Sequence, residues 1–327
     1  MIISKTPFRV SFLGGGSDLK DFYQNEPGTV FSSSINKYIY LSIHKYFNTG
    51  KQLLKYSKTE EVDTLDQIKH PIIREVFKHY DIKNMDFNST ADIPSGTGVG
   101  SSSAFTSGLI NLCSELKNLK LTNVEIAKQA CHFEIDVLNE PIGKQDQYGC
   151  SLGGLKLITF NPDDSVIVKN LNISENNLTE LENNLFLYYT SLTRKTSSIL
   201  AVQKLNTFKN ISTKNNLRRM SKMAIDLFSE FENGTIDNIG NYLDEAWKLK
   251  KELTKNISNS LIDDIYSKGI RSGADGGKLL GAGGGGFILF HVPKKNQKHF
   301  LFEMKDYRRF DFKFEFDGTK IVYNDKR

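Results

Sequence analysis

Between Pro94 and Ser103 the chain reads Pro-Ser-Gly-Thr-Gly-Val-Gly-Ser-Ser-Ser. Three glycines alternate, and the serines then open a stretch in which Phe105, Leu109, Leu112 and Leu116 recur at helical spacing. Glycine lets backbone N–H groups curl around an anion without a Cβ in the way. The start of a helix adds unpaired N–H donors and the positive end of its dipole. Serine hydroxyls can donate to phosphate oxygens or ligate Mg²⁺. A triphosphate site is the reading; a Gly/Ser turn with a serine cap is the alternative that composition alone leaves open. A Walker A loop is excluded, because Gly-Lys-Ser and Gly-Lys-Thr do not occur in the chain.

Around this loop the patterning alternates between strand and helix. Phe8, Val10 and Phe12 alternate with polar residues and predict a strand that runs into Gly14-Gly15-Gly16-Ser17-Asp18. Further strands are expected at Tyr38–Phe47, Leu152–Phe160, Phe287–Val292, Phe312–Phe316 and Lys320–Tyr323. Helices are expected at Ile72–Tyr80, Ser221–Glu232 and Ile239–Leu253. Thr122 and Glu125 form a capping-box pattern ahead of an apolar stripe of Ala127, Cys131, Ile135 and Leu138. The mixed order indicates α+β. With 327 residues, two lobes are expected. The turn at Asn161-Pro162-Asp163-Asp164 marks the boundary, giving lobes 1–162 and 163–327.

Composition narrows the function classes. Net charge is +5, from 43 basic and 38 acidic residues, without a dominant basic block. That suits an anionic small molecule and does not call for nucleic acid. Three cysteines, Cys113, Cys131 and Cys150, fit neither a disulfide framework nor zinc spacing. The first nine residues carry no signal-peptide core, and nothing approaches the ~20 apolar residues of a membrane span. A cytoplasmic protein with no membrane partner is expected.

Two carboxylates stand out. Glu134 lies on the edge of the Cys131/Ile135/Leu138 stripe, where a carboxylate is costly unless paired or bound to a metal. Asp146 follows in Gly143-Lys144-Gln145-Asp146-Gln147. Either could be a surface or loop residue on its own. Arg9 sits on the polar face of the first strand, and Asp18 lies just past the glycine turn, where it can accept from sugar hydroxyls or cap the next helix. A last glycine-rich run, Lys278-Leu279-Leu280-Gly281-Ala282-Gly283-Gly284-Gly285-Gly286, formally contains G-x-G-x-x-G. It is not a dinucleotide fingerprint, because a strand rather than a helix follows.

These motifs together carry a resemblance. Pro94-x-x-x-Gly98-Val99-Gly100-Ser101-Ser102-Ser103 resembles the Pro-x-x-x-Gly-Leu-Gly-Ser-Ser-Ala signature of GHMP kinases, departing at Val99 and Ser103. Pro7-x-Arg9-Val10-x-x-x-Gly14 to Asp18 resembles the galactokinase opening, with Gly-Gly in place of Glu-His as in the heptose-phosphate kinase branch. Lys278 to Gly286 resembles the third motif, and Glu134 with Gly143 to Gln147 resembles the family's Glu…Gly-x-x-Asp-Gln segment.

The resemblance implies an α+β, two-lobed GHMP kinase fold: an N-terminal ATP-binding lobe of the ribosomal protein S5 domain 2 type and a ferredoxin-like C-terminal lobe. It implies ATP as co-substrate, bound by Pro94, Ser95, Gly96, Thr97, Gly98, Val99, Gly100, Ser101, Ser102 and Ser103. It implies Mg²⁺ on Ser102 and Glu134, with Asp146 as base and Arg9 beside it. Substrate contacts are expected from Arg9, Gly14, Gly15, Gly16, Ser17, Asp18, Lys144, Asp146, Gly283 and Gly284. Tyr189 to Lys195 also looks like the D-glycero-α-D-manno-heptose 7-phosphate kinases, which make the α-1,7-bisphosphate on the route to GDP-activated heptose. A sugar phosphate needs a second cationic pocket, for which Arg194 and Lys195, then Lys144, are the candidates. The partners expected are a sugar phosphate and ATP, with a homodimer left open. A 1-kinase for an unphosphorylated hexose of the fucose or galactose type, and a non-catalytic sugar/ATP sensor, are the competing readings.

Overall fold

The computed structural model describes residues 1–193, 210–254 and 257–325. Its spine is one long strand. β1 (Ile2–Leu13) pairs antiparallel along most of its length with β2 (Gly28–Lys45). The far edge of β2 is shared: its first half pairs with β6 (Leu155–Phe160) and its second half with β5 (Met85–Ala91). β3 (Gln52–Lys55) and β4 (Thr59–Val62) extend the sheet beyond β5, and β7 (Val166–Asn170) extends it beyond β6. β12 (Lys320–Asn324) closes the other side against β1. Among the described residues this larger sheet has eight strands; a smaller antiparallel sheet runs β11 (Arg309–Phe310), β8 (Leu185–Tyr189), β10 (Phe287–His291), β9 (Gly276–Leu279).

The helices cover these sheets. After the short α1 (Lys20–Tyr23) come α2 (Pro71–His79), α3 (Ser101–Leu116), α4 (Asn123–Cys131), α5 (Gln145–Ser151) and α6 (Glu175–Asn184). The second half carries α7 (Ile211–Glu232), α8 (Ile239–Lys251), α9 (Ser260–Arg271) and α10 (Gln297–Glu303). From Phe8 onward β1 is buried at every position, because α3 and α5 from the first half and α7 and α8 from the second pack against it. None of the described helices is long and apolar enough to cross a membrane.

Several expectations are altered. The turn at Asn161–Asp164 lies inside the larger sheet, as the hairpin between β6 and β7. The chain therefore crosses toward the smaller sheet after Asn170, and Lys320–Asn324 returns to the first sheet. Phe312–Phe316 is not a paired strand: it makes a single bridge, Phe314 to Ile35, although Phe312 and Phe314 are buried as alternation demanded. Residues 145–151, to which the patterning assigns no element, form α5. The Thr122 capping box is present, but the stripe beyond it shifts. His132–Val137 is a π-helical turn, which rotates the chain so that Phe133 and Glu134 are buried and Ile135 is only half so.

One core runs across both sheets. Phe31 on β2 is its clearest junction, with ring centroids 5.2 Å from Phe12, 5.4 Å from Phe228 and 5.5 Å from Phe231. It is fully buried. Phe31→Ala should lower the unfolding free energy by about 3–5 kcal/mol, read from the urea midpoint at unchanged slope. A loss below about 1 kcal/mol would show that the halves do not depend on this contact.

Candidate active site

The loop of residues 94–100 connects β5 to α3 and borders a cleft of about 710 Å³. Gly96, Gly98 and Gly100 all adopt positive φ, at 77°, 82° and 76°, which only glycine takes without strain. Gly100 caps α3 with no side chain over the helix end, so the first-turn N–H groups remain free for an anion. Pro94, Ser95, Gly96, Gly98 and Gly100 to Ser103 line the cleft, whereas Thr97 and Val99 turn inward. Behind the loop, a Cβ on Gly98 would lie 2.7 Å from the Leu280 carbonyl, and one on Gly281 would lie 2.4 Å from the Gly98 Cα. The two glycine-rich loops thus pack back to back. Glycine is required at 98 for that packing, not only to clear space for phosphate.

Glu134 sits behind the loop, buried under α3. Its Oε1 accepts from Ser102 Oγ at 2.8 Å and Thr106 Oγ1 at 3.1 Å. Its Oε2 accepts from Ser103 Oγ and from Gln147 Nε2, both at 2.7 Å. Burial pushes its pKa up, against the pull of these four donors. The cluster holds oxygen ligands only. Among the described residues no group of three His, Cys, Asp or Glu side chains forms a metal cage. One carboxylate and one hydroxyl beside a phosphate loop is the protein share that Mg²⁺ uses when phosphate oxygens and water complete its shell, so these residues fit that ion.

Arg9 is buried, with the half-exposed Asp146 at its tip. Its Nε and Nη2 both donate to Asp146 Oδ1, at 2.9 and 2.6 Å, and Nη1 donates to the Gly98 carbonyl at 2.6 Å. Asp146 Oδ2 has no partner among the described residues and is open to a ligand hydroxyl. Sequence patterning thus found both members of the pair; that Asp146 opens a helix it did not find.

Asp18 is enclosed by Gly16 N–H and the Gln145 amide on Oδ1, at 2.9 and 3.0 Å, and by Gln145 N–H on Oδ2 at 3.1 Å. It lines the cleft with Gly15 and Gly16, but its oxygens chiefly tie the first glycine turn to the start of α5. Gly14 and Ser17 do not line the cleft: Ser17 Oγ donates to the Gly14 carbonyl at 2.8 Å and is buried. Gly283 and Gly284 pack on the backbone of Ile257, while Gly281 and Ala282 face the cleft. Lys144 turns away, to Asp164 at 2.7 Å and over the Tyr23 ring. Arg194 and Lys195 lie outside the described residues.

Other cleft residues escaped sequence reasoning. Tyr56, His70 and Phe105 form an aromatic wall beyond the phosphate loop, His70 stacked on Phe105 at 5.0 Å and 27° and edge-on to Tyr56. Burial lowers the His70 pKa, so its ring stays neutral and suits a flat base. These residues come from separate elements and share no motif. Lys250 and Lys278 also line the cleft, both buried. Lys250 had a signal: it continues the buried α8 stripe of Leu243, Ala246 and Trp247 at helical spacing.

Burial, and then the charge of Asp146, raises the Asp18 pKa from 3.8 to about 6. Folding therefore favours its protonated form. The stability this contributes is full below pH 3.8 and is lost as pH rises through about 6. Asp18→Asn cannot ionise and should flatten that segment of the curve when urea unfolding is followed across this range. A curve of unchanged slope would remove Asp18 as its source.

Comparison with known proteins agrees with this geometry. Residues 67–154 match the family described as GHMP kinases N terminal domain, and residues 227–306 match GHMP kinases C terminal. A D-glycero-alpha-D-manno-heptose 7-phosphate kinase from Campylobacter jejuni is 30% identical over 98% of both chains. The crystal structure of a putative sugar kinase from Campylobacter jejuni superposes with a TM-score of 0.77 at 27% identity, covering 98% of this chain and 97% of that one. That of a D-glycero-D-manno-heptose 1-phosphate kinase from Bacteroides thetaiotaomicron gives 0.80 at 23% identity, covering 99% and 100%. The fold, the order of the motifs and these likenesses make the chain a member of the GHMP kinase family.

Proposed function

We propose that the protein transfers the γ-phosphoryl group of ATP to the anomeric C1 hydroxyl of D-glycero-D-manno-heptose 7-phosphate. The product is the α-1,7-bisphosphate, which belongs on the route to GDP-activated heptose for surface glycans. The observation that carries this reading is the Arg9–Asp146 pair: a carboxylate with one oxygen held by a buried guanidinium at 2.9 and 2.6 Å, and the other oxygen open beside the phosphate loop. The Campylobacter jejuni relative supports the choice of acceptor.

ATP takes the cleft with its base on the Tyr56/His70/Phe105 wall and its phosphates along Gly96 to Ser102, where backbone N–H groups and the start of α3 meet the charge. Ser102 and Glu134 would hold Mg²⁺, which when bound neutralises charge on the β- and γ-phosphates. The acceptor lies against Gly15, Gly16 and Gln145, whose Oε1 is buried without a partner among the described residues and is free for a sugar hydroxyl. Asp146 Oδ2 takes the C1 proton as the oxygen attacks the γ-phosphorus and ADP leaves. The buried Arg9 guanidinium donates twice to its other oxygen and so fixes the direction of the carboxylate. The Arg9–Asp146 and Ser102–Glu134 hydrogen bonds beside the phosphate loop support a catalyst over a non-catalytic sensor.

Asp146→Asn keeps the shape but cannot take the proton. Turnover should fall roughly 10²–10⁴-fold with little change in either KM, followed by ADP release, with phosphorus NMR locating the new phosphate on C1. Near-normal turnover would leave positioning by Arg9 as the whole contribution. Ser102→Ala should raise the Mg²⁺ concentration needed for half-maximal rate, and excess Mg²⁺ should partly restore activity. An unchanged Mg²⁺ dependence would remove Ser102 from the metal site. Equal activity on heptose and heptose 7-phosphate would favour the unphosphorylated-sugar kinase instead.

A further inference from the structure

The cleft contains two buried ammonium groups for which the chemistry above has no use. Lys278, at the inner end of the third glycine motif, donates to the Phe12 carbonyl at 2.8 Å. Lys250, from α8, donates to the carbonyls of Leu279, at 2.9 Å, and Gly281. A lysine ammonium has three donors, so Lys278 keeps two and Lys250 one. Among the described residues no carboxylate lies within ion-pair distance of either. The third cation nearby, Arg9, commits three of its five N–H donors to Asp146 and Gly98 and has Asp146 as its counter-charge.

Burial without a counter-charge is costly for an ammonium, and the surroundings show it. Burial, and then the charge of Arg9, lowers the Lys250 pKa to about 7. Lys278 is pushed well below its ordinary value by burial, by Lys250 and by Arg9, in that order. Capping backbone carbonyls does not require a charge, since a neutral hydroxyl or amide can donate as well. What this arrangement lacks is an anion.

We propose that Lys250 and Lys278 form the subsite for the acceptor's own phosphate, a phosphomonoester carried at the end of the sugar away from the reacting hydroxyl. This rests on the sugar-phosphate reading of the acceptor. The competing occupant is the nucleotide, because Lys250 bonds Gly281, which packs on Gly98 of the phosphate loop. The ATP phosphates already have the loop N–H groups, the start of α3 and the Ser102–Glu134 pair. Lys278 is anchored instead on Phe12, at the end of β1, where the chain enters the Gly14–Gly16 turn and Asp18. An acceptor with C1 at Asp146 and one flank on Gly15 and Gly16 shares its cleft with the two lysines. The subsite makes the 7-phosphate a specificity determinant rather than a passive substituent.

The test compares kcat/KM for heptose 7-phosphate and for unphosphorylated heptose in the unmodified enzyme, in Lys250→Met and in Lys278→Met. The unmodified enzyme should prefer the phosphorylated acceptor. Each substitution should cut that preference roughly 10- to 100-fold, the loss of one charge-assisted hydrogen bond. The change should fall on KM for the phosphorylated acceptor and not on KM for ATP. Preference intact in both variants, or a loss confined to KM for ATP, overturns the subsite and leaves the acceptor reading standing. An unmodified enzyme with no preference overturns both. Should either variant fail to fold, crystals of the unmodified enzyme with heptose 7-phosphate decide. The phosphate within hydrogen-bond reach of Lys250 and Lys278 Nζ supports the subsite, and its placement beyond both overturns it.

Discussion

The buried guanidinium of Arg9 is the contact on which the site depends. It issues from the middle of β1, in the interior of the larger sheet, and its three bonds reach parts of the chain far apart in sequence: Asp146 on α5 and the Gly98 carbonyl of the phosphate loop. The Arg9 backbone N–H adds a bond to the Val99 carbonyl at 3.0 Å. A neutral residue here would leave a partly buried carboxylate and a loop carbonyl unpaired together, a larger loss than one ion pair on a surface. The planar fork also fixes direction. With two N–H groups on the same Asp146 oxygen, the second oxygen has one way to face.

A second constraint is the contact between the two glycine loops. Gly98 and Gly281 approach so closely that neither can carry a side chain. Gly281 also presents its carbonyl to Lys250. The phosphate loop is thus held from three directions, by β1, by the third glycine motif and by α3. Its N–H groups are pre-aimed at the ligand instead of being ordered by it, which is where a kinase gains from a rigid scaffold.

The motifs were legible in the sequence because each is local: glycines at positive φ, a helix start, a strand feeding a turn. The α+β class and the capped helix at Thr122 followed from period and capping for the same reason. What was not legible depends on partners remote in sequence. Phe312–Phe316 alternates like a strand, yet β2 already has β1, β5 and β6 along its edges, leaving room for one bridge. The loss of helical register at His132–Val137 has no marker in composition, and it decides that Glu134 points inward. Gly14, Ser17, Gly283 and Gly284 belong to motifs that do shape the cleft, but as supports under the residues that line it. Lys250 sits among Lys248 and Lys251 and reads as part of a solvated face until the apolar stripe is counted.

The three successive residues Gln145, Asp146 and Gln147 show how so few positions organise the site. Gln145 holds Asp18 through its backbone and side-chain amides, Asp146 is the open carboxylate held by Arg9, and Gln147 donates to Glu134. In an α-helix consecutive side chains diverge by about 100°, so one turn can serve three carboxylates in three directions. An extended segment would send Gln145 and Gln147 to the same side and Asp146 to the other, and the three acids could not be set around one cleft. Helix α5 therefore fixes the spacing between the carboxylate facing the acceptor, the one beside the phosphate loop and the one bracing the first glycine turn. A displacement of this short helix would be felt by all three, which is why a seven-residue element carries such exacting geometry.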